Sequence, residues 1–312
     1  MKRSGAFMER NHLFITSVIM WALCSNGVQV VLGQGRPNDP GTSQPTTAPS
    51  KGLRGDEAQI ADLAVSIWRP SPETNKPFPL VIFSHGFHGS STQSKFLMKA
   101  LADVGYLVIA PNHKDALRRG GQLGGNFMPE VSFAKPEEWT DAIYRDRRDD
   151  IKRLIKALKT DTTWAGRIDW SKLALAGHSL GGYTVLGLAG AWPSWKDDDV
   201  KAVLALSPYC APFVQKKTLG GISIPVMYQG GTRDVGITPS VMRPGGAYDQ
   251  TPGPTYFIDF DGAGHFAWTD LSPTFQKSID YYAVAFFDKY VKGSSAADPN
   301  KKLTDVAEVK SK

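Results

Sequence analysis

A doubly wound α/β fold, with a mostly parallel sheet and helices on both faces, is what this sequence predicts, and three observations predict it. Short runs such as LVIF, LVIA and LALA are apolar at every position, as parallel strands covered on both faces must be. Stretches between them carry helical periodicity instead. A glycine-flanked serine, Gly177-His178-Ser179-Leu180-Gly181, stands where one such strand gives way to a helix.

The strands read in order at 63–68, 80–84, 107–110, 173–176, 202–206, 226–228 and 256–260. Helices fit between them. Ile143, Ile151, Leu154, Ile155 and Leu158 keep a helical period with Arg and Asp on the other face. A helix is predicted to follow Ser179, through Tyr183 to Gly190. Near the end, Phe275, Ile279, Tyr282, Ala283, Phe286, Phe287 and Tyr290 form one broad apolar stripe. Ser272-Pro273 suits its start and Gly293 its stop, and an aromatic stripe at that spacing is core packing. Residues 56–292 thus make one domain of ordinary size for this class.

The ends differ in kind. Lys2, Arg3 and Arg10 precede an uncharged apolar stretch at 13–23, and small residues follow at Ser25-Asn26-Gly27 and again at Gly33. Residues 1–33 are therefore expected to be an export signal, and the protein to be secreted or periplasmic. The alternative is an uncleaved N-terminal anchor, since 13–32 is about long enough to span a bilayer. Residues 34–55, rich in Pro, Gly, Ser and Thr, cannot bury enough surface to offset their ordering entropy and read as a flexible linker. Residues 293–312 read as a polar tail that frays. Cys24 would leave with the signal, so Cys210 would have no intramolecular partner. The net charge is +6, but much of it sits in the two ends. A body so close to neutral has no electrostatic footprint for nucleic acid. A stable membrane partner is expected only if the signal is retained.

The chemistry concentrates in four segments. Gly177-His178-Ser179-Leu180-Gly181, after the strand at 173–176, is a nucleophile elbow: a tight strand-to-helix turn that exposes the serine hydroxyl and admits only glycine on either side. Phe83-Ser84-His85-Gly86-Phe87-His88-Gly89 follows another strand and suits the loop that supplies an oxyanion donor. The two donors assigned are the N–H groups of Leu180 and Phe87. His85 is expected to hold that loop by a structural hydrogen bond. Serine needs a base, and the base needs a carboxylate. His265, in Gly262-Ala263-Gly264-His265, is the one histidine downstream of Ser179. Asp234, after the strand at 226–228, is the acid preferred over Asp249, Asp259 and Asp261. No His/Cys/Asp cluster shows metal-ligand spacing, and no organic cofactor is implied.

Taken together, FSHGFHG, GYLVIAPNH, RRDDIKRLIKAL, IDWSKLALAGHSLGGYTVLGLAGA, IPVMYQGGTRD and DGAGHF resemble the α/β-hydrolase superfamily over roughly residues 60–290. Within it the chain is similar to the platelet-activating-factor acetylhydrolase-like and dienelactone-hydrolase-like branch. Dienelactone hydrolase proper uses a cysteine nucleophile, whereas this chain has Ser179. Secreted polyester hydrolases share the layout, including an aromatic after the strand that follows the elbow. Tyr209 stands there, either flanking a substrate or packing. The resemblance implies hydrolysis of a carboxylic ester, small, lipid-like or polymeric, through an acyl-enzyme. An acyltransferase or peptidase on the same triad is the alternative; a non-catalytic binding module would more often lack one of these parts. The glycine-rich stretch at 115–140, with Arg118, Arg119 and Phe127, reads either as a substrate-facing loop or as surface padding, and the first is preferred because long structureless loops in compact domains tend to be functional.

Overall fold

The computed structural model describes residues 55–71, 76–117 and 128–312. The expected signal, nearly all of the expected linker, and Arg118, Arg119 and Phe127 lie outside the described residues. Residues 132–134 group apart from the unit that carries the sheet.

That unit is built on nine strands in one sheet: β1 (Asp56–Ile60), β2 (Leu63–Trp68), β3 (Phe78–Ser84), β4 (Leu107–Pro111), β5 (Ile168–His178), β6 (Val200–Leu206), β7 (Val226–Gly231), β8 (Thr255–Phe260) and β9 (Val306–Ser311), in the order β1-β2-β4-β3-β5-β6-β7-β8-β9. From β4 to β8 every neighbouring pair is parallel; β1, β2 and β9 are antiparallel additions at the two edges. This is the α/β-hydrolase fold, and all seven strands read from the sequence are present, most of them longer than their apolar cores.

Alternation along the strands sorts the core into two faces. Val81, Phe83, Val108, Ala110, Ala174, Ala176, Leu204, Met227, Ile258 and Phe260 meet α1 (Lys95–Asp103) and the long C-terminal helix Gln276–Tyr290. That helix buries Ile279, Tyr282, Ala283, Phe286 and Phe287, the aromatic stripe read as packing. Ile279, Phe286 and Phe287 each contribute roughly 1.5–3 kcal/mol relative to exposure. On the opposite face lie α2 (Arg145–Thr160) and α3 (Leu180–Leu186), the second packed over β5 and β6. The chain then continues from α3 as a wider π turn to Ala191, where Gly190 has φ 121°.

Two edges depart from the sequence reading. β1 and β2 join through Ala61-Asp62, both at positive φ (50° and 61°), a two-residue hairpin turn made without glycine. The C-terminal segment, expected to fray, instead ends in β9, paired with β8 from Phe260↔Val306 to Tyr256↔Ser311. Val306 is buried and Val309 packs on the core, while Glu308 and Lys310 form a surface ion pair at 3.0 Å. An edge strand needs only one apolar face, and charges on it discourage further pairing, so its composition resembles a tail. Among the described residues no helix is long and apolar enough to cross a membrane.

Candidate active site

Ser179 sits between β5 and α3 with φ 56° and ψ −115°, a strained conformation for a non-glycine residue. The turn is as tight as the motif requires. A Cβ on Gly177 would collide with the Gly181 carbonyl, and one on Gly181 with the Ser84 carbonyl at the end of β3. The Ser179 N–H donates to Leu206 O at 3.0 Å and its carbonyl accepts from Tyr209 N at 3.0 Å, which ties the elbow to the end of β6.

His265 lies in the loop after β8, its Nε2 3.0 Å from Ser179 Oγ. Asp234 follows β7, with Oδ1 3.4 Å from His265 Nδ1. Of the rival carboxylates, Asp249 accepts from the Gly245 N–H and Asp261 meets Thr232. Asp259 lies on β8 near Glu308, its pKa pushed up to about 6 mainly by burial. Burial also acts to raise the Asp234 pKa, but His265 above all, then Ser207 and Thr238, outweigh it and hold that carboxyl below its usual value.

Between Asp234 and His265 stands a residue that no motif marks, Ser207. Its Oγ is 2.7 Å from His265 Nδ1 and donates to Asp234 Oδ2. Thr238 Oγ1 donates to the same Oδ2 at 3.1 Å.

The loop after β3 lies against the elbow: a Cβ on Gly86 would sit 3.4 Å from Ser179 Cβ and 3.1 Å from His178 Nδ1. Two networks fix this loop. In the first, the Gly86 N–H donates to Gln93 Oε1 at 2.9 Å, and Gln93 Nε2 donates to His178 Nδ1 at 3.0 Å. His178 Nε2 then donates to the His265 carbonyl at 2.8 Å. One glutamine and the variable residue of the elbow thereby tie together the loop, the elbow and the His265 segment. Burial holds the His178 pKa down at about 3, so its ring stays neutral.

The second network is buried charge. Arg147, on α2 and fully buried, pairs with Asp115 through Nε (3.1 Å) and Nη2 (2.7 Å). It also donates from Nη1 to His85 O at 2.7 Å and from Nη2 to Gly86 O at 3.2 Å. His85 Nδ1 donates to Gly86 O at 2.7 Å, since its Nε2 accepts from the His113 N–H at 3.0 Å. His85 thus holds the loop, as the sequence led one to expect. Its pKa is well below 6.5, chiefly from burial and then from Arg147. With the Gly86 carbonyl held on one side, the trans peptide aims the Phe87 N–H to the other. Leu180, at the start of α3, is wholly buried, and Phe87 is half-buried.

Tyr209 is 4% exposed, its ring 4.7 Å from that of Trp139. Of the two roles open to it, packing is the one this burial fits. Cys210 is free and buried, which pushes its thiol up to about 12. The flanks of the 115–140 stretch serve structure: Asp115 holds Arg147, and Trp139 is fully buried against Tyr144 and Tyr183. A cavity of about 1230 Å³ lined by Gln59, Ser66, Ser91, His113 and Asp150 excludes Ser179. Among the described residues no group of three or more His, Cys, Asp or Glu is placed to hold a metal ion.

Comparison with known proteins agrees with this fold. Cutinase est2 of Thermobifida alba is 27% identical over 224 residues, covering 70% of this chain and 62% of its own length. The cutinase of Thermobifida fusca (strain YX) is 26% identical over 223 residues, 70% of this chain and 62% of its own. Esterase YjfP of Escherichia coli (strain K12) is 27% identical over 145 residues, 45% of this chain and 51% of its own. The chain therefore spans less than two thirds of the length of these relatives. The Chlorophyllase family pattern matches residues 55–220, just over half of the chain, which includes Ser179 and the 85–88 loop. With its nine-stranded sheet and its elbow serine, the chain belongs to the Chlorophyllase family of the α/β-hydrolase superfamily.

Proposed function

We propose that the protein is an exported serine hydrolase that cleaves carboxylic esters through an acyl-enzyme. One observation carries the reading: Ser179 Oγ, on a strained turn, lies 3.0 Å from His265 Nε2, with the Asp234 carboxylate on the far side of that ring. In acylation Ser179 Oγ attacks the ester carbonyl carbon while His265 Nε2 takes the hydroxyl proton. The oxyanion is held by the N–H groups of Leu180 and Phe87. Collapse expels the alcohol, which receives the proton from His265. Water then attacks the acyl-enzyme, His265 accepts its proton, and the acid leaves as Ser179 regains its hydroxyl. Asp234 holds the imidazole in the tautomer with Nδ1 protonated.

Cutinases among the relatives support a polymeric or lipid-like ester as one substrate class, and an esterase among them supports ester cleavage more broadly. The basic leader and apolar stretch at 1–33 support export. The test is hydrolysis of p-nitrophenyl esters of increasing acyl length by residues 35–312, beside Ser179→Ala. The variant should lose about 10⁶-fold in kcat, as nucleophile removal does in such triads. Full activity in the variant, or a folded wild type that neither turns over any ester nor reacts with a fluorophosphonate, would overturn the reading.

A further inference from the structure

We propose that Ser207 is a positioning residue of the same site, the link through which Asp234 holds His265; this inference rests on the function proposed above. To accept the proton of Ser179, His265 Nε2 must be bare, so the imidazole proton is on Nδ1. Two oxygens face that proton: Ser207 Oγ at 2.7 Å and Asp234 Oδ1 at 3.4 Å. The hydroxyl is within normal hydrogen-bond range and the carboxylate is beyond it. The Ser207 hydroxyl has one proton to give, and it goes to Asp234 Oδ2. No other arrangement satisfies all three groups. His265 Nδ1–H donates to Ser207 Oγ, and Ser207 Oγ–H donates to Asp234.

The surroundings hold this arrangement in place. Ser207 is fully buried just past the end of β6, with its N–H donating to Gln229 O of β7 at 2.7 Å. Its φ is 41°, a left-handed conformation that disfavours every residue but glycine. A glycine would relieve that backbone, so stability alone does not explain a serine here. Thr238 adds a second hydroxyl to Asp234 Oδ2 at 3.1 Å, and since Thr238 Oγ1 already accepts from the Gly231 N–H at 3.0 Å, its own proton is free for the carboxylate. When His265 becomes an imidazolium in the transition state, its new charge is met by a hydroxyl that Asp234 polarises. The carboxylate, 3.4 Å from Nδ1, adds its charge directly and takes the hydrogen bond through the hydroxyl.

Two substitutions separate positioning from structure because they should rank oppositely on stability and on rate. S207G relaxes the backbone and removes the hydroxyl; S207T keeps the hydroxyl and strains the backbone. With p-nitrophenyl butyrate, S207G should lose roughly 10- to 100-fold in kcat with KM within about 2-fold, less than the ~10⁴-fold cost of neutralising a triad acid. S207T should stay within about 5-fold of wild type in kcat while melting at a lower temperature than S207G. A merely structural Ser207 predicts the reverse ranking in rate, and wild-type kcat in S207G would overturn the proposal. A measurement on the unaltered protein guards against misfolded variants. In its proton NMR spectrum the Ser207 hydroxyl should be protected from exchange and show a cross-peak to the His265 Nδ1 proton. A hydroxyl that exchanges freely, with no such cross-peak, would also overturn it. Ser179→Ala in the same assay keeps the two readings apart. If that variant is dead while S207G is unimpaired, only the role of Ser207 falls. If Ser179→Ala still turns over, the function itself falls and this inference with it.

Discussion

On the His265 side of Ser179 the polar groups are small hydroxyls around one carboxylate: Ser207, Thr238 and Asp234. On the side of the 85–88 loop the protein instead buries a guanidinium, its carboxylate partner Asp115 and two neutral imidazoles, His85 and His113. In the proposed mechanism the first side handles a proton that comes and goes. Hydroxyls suit that work, because each can donate and accept and can turn to follow the charge. On the same proposal the second side holds a peptide still, with its N–H aimed at a charge that forms only in the transition state. Arginine suits that work, because its donors are fixed in one plane and it does not lose its proton. In the proposed mechanism the candidate site thus separates proton handling from dipole positioning and uses different residue chemistry for each.

The largest effect is expected on the proton side. Asp234→Asn keeps the shape but removes the charge that favours protonation at Nδ1, so kcat should fall about 10³- to 10⁴-fold. Stopped-flow acylation with p-nitrophenyl butyrate reads this directly, and its fold should survive, because an amide still accepts from Ser207 and Thr238. A loss in KM alone would mean that Asp234 shapes the pocket and leaves the base alone.

Next in size is the buried ion pair. Arg147→Met leaves Asp115 buried and unpaired, which should cost about 3–5 kcal/mol of stability and lower kcat. The double variant Arg147→Met with Asp115→Leu removes both charges, and such apolar replacements are often neutral for stability. Urea unfolding should therefore show the double variant recovering most of the loss. Its kcat should remain low, because nothing then holds the His85 and Gly86 carbonyls apart from the His85 ring and the turn N–H of Gly89. Recovery of rate along with stability would mean that the pair only holds the fold together, and the contrast between the two sides would collapse.

How much of this was legible in the sequence follows the same division. Ser179, the 85–88 loop and His265 are marked by short motifs, because a tight turn against a neighbouring strand leaves room only for glycine. Asp234 is marked by its place after β7. Ser207 and Gln93 leave no trace, since their partners lie 27 and 85 positions away and nothing local requires them. Arg147 does leave one. It precedes Ile151 by four residues, on the stripe that continues through Leu154, Ile155 and Leu158, so a cation stands on the buried face of α2. A charge on an apolar stripe is a sign of a buried partner. The edges mislead for other reasons. The β1–β2 turn uses Ala61-Asp62 where such turns favour glycine or asparagine, and β9 resembles a tail because an edge strand is half solvated.

The smallest effect concerns charge rather than rate and belongs to the positioning side. His85 and His113 are held well below 6.5, and His178 at about 3, with burial the leading cause in each. In the unfolded chain each of these rings takes a proton below pH ~6.5. In the folded protein each resists. Their contribution to stability is therefore present above pH ~6.5 and is lost as pH falls towards the folded values, by about 1.4 kcal/mol per pH unit for each ring. For His178 that window runs from about 6.5 down to about 3. Bulk acid unfolding would hide this. Burial raises Asp150 and Asp259 to about 6 and Asp280 to about 7, and those carboxyls gain stability over much of the same range as pH falls. Nitrogen-15 NMR of the imidazoles avoids the cancellation because it reads each ring separately. At pH 5 the His85, His113 and His178 rings should all still be neutral, with the proton on Nδ1 in His85 and on Nε2 in His178. If any of the three titrates above pH 5, its ring has access to water, and the wall that aims the Phe87 N–H is softer than the hydrogen bonds of Arg147 and Gln93 imply.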